Sequence, residues 1–170
     1  MVDEKVYLAK PKNKTGKSVF LGLLGTSMIL ALTANFIQKY SGIVWVFALG
    51  FITATIYVYN RFVGSEYRYT INNDGGRPSF AVGMQVGKTA RTMARVDLSS
   101  IKELRRMSRD EYRTYKCDKG VVKYPYFPTM FAEEVYLVAV RSEYEQADIF
   151  IEADAEFISA LESYVISPEN

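Results

Sequence analysis

The stretch from Gly83 to Thr89 contains residue types that bind phosphate in nucleotide-binding loops. It reads GMQVGKT, with two glycines and a lysine followed by a threonine. A phosphate-binding loop of this type needs four residues between its glycines, and it connects a strand to a helix. Only three residues separate Gly83 from Gly87, and the stretch alternates apolar and polar residues as a strand does. The pattern therefore indicates the end of a β-hairpin.

Other candidate catalytic residues are isolated. Glu133 and Glu134 are adjacent, and neighbours in a strand point to opposite faces of its sheet. Cys117 becomes a nucleophile only beside a group that lowers its pKa. The chain has no histidine and one cysteine, which excludes Ser-His-Asp and Cys-His pairs, internal disulfides and histidine- or cysteine-rich metal sites. We expect no catalytic residue, cofactor or metal ligand, and a non-enzymatic protein.

Two apolar runs dominate the first third of the chain. Residues 18–37 and 41–60 contain no charged residue, and Lys39 is the only charge between them. At 1.5 Å per residue, each run is long enough for a helix that crosses the roughly 30 Å apolar core of a bilayer. The alternative, two buried helices of a soluble protein, would need more surrounding chain to cover them. The sequence predicts a transmembrane hairpin over 18–63, with helices at 18–37 and 42–62.

Basic residues flank the hairpin unevenly. Residues 1–17 form a basic segment with five lysines, Arg61 and Arg68 follow the second run, and the turn has Lys39 alone. The positive-inside rule places both termini in the cytoplasm. The first run exceeds the 7–15 apolar residues of a signal peptide, and a second run follows at once, so we expect no cleavage.

The remaining chain has the short, alternating runs of β-strands, and then one helix. Seven strands are predicted, in the stretches EYRYTIN, SFAVGMQVG, MARVDL, IKELRRM, EYRTYKC, VYLVAVR and ADIFIE. Phe157, Leu161 and Val165 then recur at helical spacing, which predicts a helix at about 154–166 with Asp154 as its N-cap. The fold class is therefore an α+β membrane protein. Its antiparallel β-barrel or sandwich is capped by a C-terminal helix.

This order of elements resembles the pleckstrin-homology-like (PH-like) domains of bacterial membrane proteins. The resemblance rests on the phrase RVDLSSI at 95–101, on the D-x-x-F-x-x-x-L pattern that begins at Asp154, and on the two helices before the domain. It implies a cytoplasmic PH-like domain over 64–170, anchored in the inner membrane, without a defining catalytic residue. The first hairpin loop offers only Arg77, so the resemblance does not extend to phosphoinositide specificity.

Charge is distributed unevenly along the domain. Residues 61–123 carry a net charge of +7 and residues 124–170 a net charge of −9. The basic part either lies on anionic lipids or pairs with the acidic part across the sheet. Arg105, Arg106 and Arg109 are the candidate membrane-surface residues. The net charge of +2 gives no indication of nucleic-acid binding.

The aromatic segment DKGVVKYPYFPTMFAEE, residues 118–134, is the second candidate contact surface. Its candidate residues are Lys123, Tyr124, Tyr126 and Phe127. The segment docks a protein partner, lies on the membrane, or folds back over one end of the sheets. We expect an interaction module for a protein or lipid surface. The alternative is a small accessory subunit of a membrane transport or enzyme complex, which would contact its partners through the hairpin.

The charge asymmetry gives a testable topology. Reporter fusions at residues 40 and 170 should report a periplasmic and a cytoplasmic position, respectively, because positive charges stay on the cytoplasmic side. A periplasmic C-terminal reporter would contradict the cytoplasmic placement of the domain.

Overall fold

A computed structural model describes residues 5–12, 14–73, 77–143 and 146–165. The described chain forms two long helices, two four-stranded sheets and two shorter helices. The first sheet contains β1 (Lys5–Ala9), β2 (Ser65–Asn72), β3 (Ser79–Val86) and β4 (Thr89–Asp97). The second contains β5 (Ile101–Ser108), β6 (Val122–Pro125), β7 (Glu134–Arg141) and β8 (Gln146–Ile151). The helices are α1 (Thr15–Ala34), α2 (Ser41–Val58), α3 (Arg109–Thr114) and α4 (Ala155–Val165).

Helices α1 and α2 form the predicted hairpin, and both are long and apolar enough to cross a membrane. Large apolar side chains point outward along them; Leu21 is 64% exposed and Val46 is 69% exposed. A continuous exposed apolar surface of this kind is typical of a membrane or protein interface. The hydroxyls of Ser27 and Thr55 donate to the carbonyls of Leu24 and Phe51 in their own helices. These hydrogen bonds satisfy the two hydroxyls within each helix.

A π-helical turn, Tyr59–Val63, continues α2 toward the domain. The Gly64 amide donates to the Tyr59 carbonyl at 2.7 Å and ends the turn. Strand β2 begins at the next residue, Ser65. The second apolar helix therefore enters the first sheet without a flexible linker.

The first sheet is antiparallel in the order β1-β2-β3-β4. Strand β1 lies inside the N-terminal segment that the sequence analysis treated only as basic. It pairs with β2 so that Tyr7 lies opposite Tyr69 and Ala9 opposite Tyr67. Residues 6–9 are all apolar, so they lack the alternation that reveals a strand. The domain thus takes its first strand from the chain before the hairpin.

The second sheet has the order β5-β7-β8-β6, and β6 runs parallel to β8. The strand predicted for EYRTYKC is wrong, because Arg109–Thr114 forms α3. The Ser108 hydroxyl accepts from the Glu111 amide while the Glu111 carboxylate accepts from the Ser108 amide. This capping box starts the helix and lowers the pKa of Glu111. The short strand β6 was not predicted, and it ends at Pro125, which lacks an amide donor.

The two sheets and α4 share one core. Val82 from the first sheet, Ile149 from the second and Leu161 from α4 belong to the same buried cluster. The described strands form two separate sheets rather than the closed barrel that was one predicted possibility. Helix α4 lies where the sequence predicts the closing helix, and Asp154 accepts from the Phe157 amide at 2.8 Å, as an N-cap does.

Removal of the Leu161 side chain should destabilise the domain. Leu161 is fully buried, so Leu161→Ala should lower the free energy of unfolding by roughly 2–5 kcal/mol. Guanidinium titration of the full chain in detergent, followed by circular dichroism, measures this change. Glu162→Ala, at an exposed neighbouring position, is the control. Equal midpoints for the two variants would contradict the burial of α4 against the sheets.

Candidate functional site at the junction of helices and domain

Arg61 ties the end of the helical hairpin to the β domain. Its guanidinium donates to the Tyr67 hydroxyl at 2.8 Å, to the Phe127 carbonyl at 2.8 Å and to the Pro125 carbonyl. It also lies over the Phe62 ring, with its central carbon 5.0 Å from the ring centroid. One side chain therefore connects the π turn, β2 and the aromatic segment.

Close packing reinforces this connection on the other helix. A Cβ atom on Gly16 would lie 3.2 Å from the Phe62 Cβ, so a larger residue would require the start of α1 or the π turn to shift by a few tenths of an ångström. The Ser65 hydroxyl donates to the Arg61 carbonyl at 2.7 Å. The Lys12 amide donates to the Thr129 hydroxyl at 3.0 Å. Both ends of the hairpin are thus fixed to the domain.

Two cavities flank this junction, and basic side chains line both. The first has a volume of about 670 Å³ and the second about 380 Å³. Among the described residues, Glu66 is the only acid that lines either cavity. We call the seven basic lining residues the basic collar: Lys10, Lys12, Lys14 and Lys17 in the first cavity, and Arg61, Arg109 and Arg113 in the second.

Most of the collar charge is not neutralised by the domain. Lys10 lies 3.7 Å from Glu66, and Lys12 lies 3.5 Å from the buried Glu152. The other five collar residues form no ion pair with any residue that the structure describes. These two cavities therefore carry a local positive charge that suits an anionic surface or ligand, whereas a neighbouring cavity beside Lys12 and Thr129 is lined by Glu133, Glu134 and Glu152.

The second cavity has an aromatic wall in addition to its arginines. Its apolar and aromatic lining residues are Tyr57, Phe62, Tyr112, Pro125, Phe127, Met130, Phe131 and Ala132. Phe131 is 55% exposed and has a φ angle of 57°, in the left-handed region that bulky residues avoid. The Arg109 guanidinium lies 5.0 Å from the centroid of its ring. With this backbone conformation, the exposed Phe131 ring lies at the rim of the cavity.

The chain matches a known protein-family model. The family model described as "Bacterial PH-like domain (DUF6106)" matches residues 6–167. The chain belongs to this family of bacterial PH-like domains. The match begins within β1 and includes the hairpin, which confirms the resemblance found in the sequence. No curated protein and no solved structure matches the chain.

Within the PH-like domain, two of the three predicted surface arginines form ion pairs. The Arg105 Nε lies 3.3 Å from a Glu103 oxygen, and Arg106 donates through two nitrogens to the Glu134 carboxylate. Glu134 raises the pKa of Arg106. Of the three predicted arginines, only Arg109 belongs to the basic collar.

The predicted aromatic residues fold mainly inward. Phe127 is buried, and the rings of Tyr124 and Tyr126 stack with centroids 5.6 Å apart at the edge of the core. Lys123 places its ammonium 3.8 Å from the centroid of the Tyr112 ring, and burial lowers its pKa. These residues therefore pack mainly against the two core clusters of the domain.

Sequence analysis missed most of the collar. The N-terminal lysines were used only to orient the hairpin, and Arg61 was counted in the basic part 61–123 without being singled out, although cations beside an apolar run are typical of a membrane interface. Arg113 was assigned to a strand, whereas the Ser108–Glu111 capping box was the signal for a helix. Phe131 lies in the predicted aromatic segment, but its positive φ has no sequence signal, because the backbone angle depends on the folded loop.

A cluster of polar side chains surrounds the buried Asp148 of β8 in the second sheet. Asp148 is fully buried, accepts from the Tyr115 hydroxyl at 2.7 Å and lies 2.8 Å from the Arg141 guanidinium. Burial and Asp148 raise the pKa of Tyr115 to about 12, and they also raise the pKa of the Cys117 thiol. A raised thiol pKa leaves less thiolate, so this environment does not activate Cys117. Among the described residues, no group of three or more Cys, Asp and Glu is placed to hold a metal ion.

Loss of the Arg61 contacts should loosen the aromatic segment. Hydrogen bonds from charged donors contribute about 1.5–3 kcal/mol, so Arg61→Gln should speed amide hydrogen exchange over residues 125–131 by about tenfold or more. Arg61→Lys should behave similarly, because an ammonium cannot reproduce the planar fork of donors. Arg91→Gln, an exposed arginine on β4, is the control. Unchanged exchange in both Arg61 variants would contradict the role of this residue in docking.

Proposed function

We propose that this protein is anchored in the inner membrane by α1 and α2, with both termini in the cytoplasm. Its PH-like domain rests with the basic collar on the anionic cytoplasmic leaflet, where it acts as a non-enzymatic interaction module. The observation that carries the proposal is the collar itself. Of the residues that the structure describes, seven basic ones and a single acid line the two cavities where the apolar helices meet the domain.

The position of the collar matches the charge of the lipid headgroups. The apolar helices end where the collar begins, so a bilayer that covers α1 and α2 places its headgroups at this level. A basic residue near an anionic membrane surface contributes about 1 kcal/mol. Lys14 and Lys17 have no acidic partner among the described residues, so no described carboxylate competes with the lipid headgroups for them.

The accessory-subunit alternative has one supporting observation. Gly22, Gly25 and Gly50 do not mediate the contact between α1 and α2, since a Cβ atom at any of them would meet nothing within 4 Å. Small residues on an outward helix face allow another transmembrane helix to approach closely. A protein partner within the membrane is therefore the second candidate function.

Hydrogen exchange of the full chain in nanodiscs tests the proposed surface contact. Discs that contain phosphatidylglycerol should slow amide exchange over Lys10–Lys17 and Arg109–Arg113 relative to pure phosphatidylcholine discs. About 1 M salt should reverse the effect, because it shortens electrostatic screening to about 3 Å. Exchange near Asn73, at the far end of β2, should not respond to lipid.

Charge variants provide the matched control. Lys14→Gln with Lys17→Gln should reduce the lipid-dependent protection, whereas Arg77→Gln with Lys102→Gln should not. The second pair removes the same charge from exposed positions outside the collar. Identical exchange in both types of disc would refute the proposed contact with anionic lipid.

A further inference from the structure

We propose that the second cavity binds one anionic phospholipid, with its phosphate at Arg109 and Arg113 and the upper part of an acyl chain along the aromatic wall. This inference rests on the proposed function, because it requires the cavity to open at the membrane surface. The proposed function requires only a general attraction between the basic collar and anionic lipids. The cavity would in addition bind a single phospholipid molecule per chain.

The positive charges that line the second cavity favour the binding of an anion. Arg109 and Arg113 are four residues apart on α3, where like charges face each other and repel. Neither forms an ion pair with a described residue, and no described acid lines the cavity. Arg61 adds a third positive charge, balanced only by carbonyl dipoles, a hydroxyl and aromatic faces. A phosphate bound by two guanidiniums would relieve this repulsion and accept paired hydrogen bonds.

The apolar wall indicates that the anion carries a hydrocarbon chain. The cavity volume of about 380 Å³ is in the range of small-molecule sites and holds a headgroup with the beginning of one chain. Tyr57 belongs to the last turn of α2 and is 63% exposed, so the wall continues along the helix into the apolar layer. A soluble phosphate ester would leave this wall in contact with water.

The strained backbone at Phe131 is an independent indication of a site. Residues held at positive φ without being glycine carry a conformational cost, and they concentrate at ligand-binding positions. The strain turns this ring to the rim, while the nearby Phe127 is buried. Phe131 is 55% exposed although its ring contacts the Arg109 guanidinium, and a bound acyl chain would cover the exposed part.

The first cavity lacks this combination. It is larger and its cations are lysines, two of which already lie near carboxylates. Lysine is a point charge that attracts a surface without fixing the orientation of a phosphate. We therefore assign the specific site to the second cavity.

Native mass spectrometry of the purified full chain in detergent tests the proposal. Phosphatidylglycerol should give a one-to-one adduct that survives activation, whereas phosphatidylcholine and soluble glycerol 3-phosphate should not. Arg109→Gln with Arg113→Gln should weaken phosphatidylglycerol binding about tenfold or more, since both charge-assisted contacts are lost. Arg77→Gln with Lys102→Gln, which removes equal charge elsewhere, should bind like the wild type.

Phe131→Gly separates a binding role from a structural one. Glycine adopts positive φ without strain, so the melting temperature of this variant should not decrease. Its lipid affinity should fall several-fold, because the ring that contacts the acyl chain is absent. A lower melting temperature with unchanged lipid affinity would assign Phe131 to the fold and would overturn its part in the site.

The remaining outcomes distinguish the two proposals. Lipid-dependent exchange in nanodiscs without a specific adduct would overturn the cavity site and leave the surface contact intact. Absence of both effects would overturn the proposed function as well. Binding of glycerol 3-phosphate as tight as that of phosphatidylglycerol would overturn the assignment to a lipid. Equal binding by the wild type and the Arg109/Arg113 variant would overturn the assignment to this cavity.

Discussion

The hydrogen bonds of Arg61 hold the π turn after α2 against the PH-like domain. Its guanidinium is met by two backbone carbonyls and the Tyr67 hydroxyl rather than by a described carboxylate. Carbonyl dipoles satisfy the donors but leave the net charge in place. The same contact therefore fixes the geometry of the junction and keeps it positive. It also holds the backbone at Pro125 and Phe127, which positions the wall of the second cavity.

The hairpin is inserted between two paired strands of one sheet. Ala9, at the end of β1, lies opposite Tyr67, near the beginning of β2, so both connections to the apolar helices leave the same end of the sheet. Two short connections restrict tilt and rotation far more than a single flexible linker would. This arrangement explains why cations from the N-terminal segment, the π turn and α3 converge, although they are distant in the sequence.

The sequence revealed the features that depend on local periodicity. The uncharged runs identified the hairpin, and the spacing of Phe157 and Leu161 identified α4. Strand β1 was missed because an uninterrupted apolar run has no period, and α3 because Tyr112 and Tyr115 resemble the aromatic residues of a strand. The ion pair of Arg106 with Glu134 depends on the register of β5 against β7, which no local pattern specifies. The candidate site was therefore only partly predictable, with Arg109 and Phe127 the predicted residues that line it.

The depth of the junction in a bilayer tests the central claim most directly. Spin labels at Ser18→Cys, Thr114→Cys and Asn73→Cys, each in a Cys117→Ser background, report immersion through their collision rates with oxygen and with a water-soluble nickel complex. Asn73 follows the last residue of β2, which starts at the junction and advances about 3.3 Å per residue. The account predicts headgroup depth for the labels at 18 and 114 and full water exposure at 73. Equal water exposure at 114 and 73 would contradict it, because the domain would then stand away from the membrane.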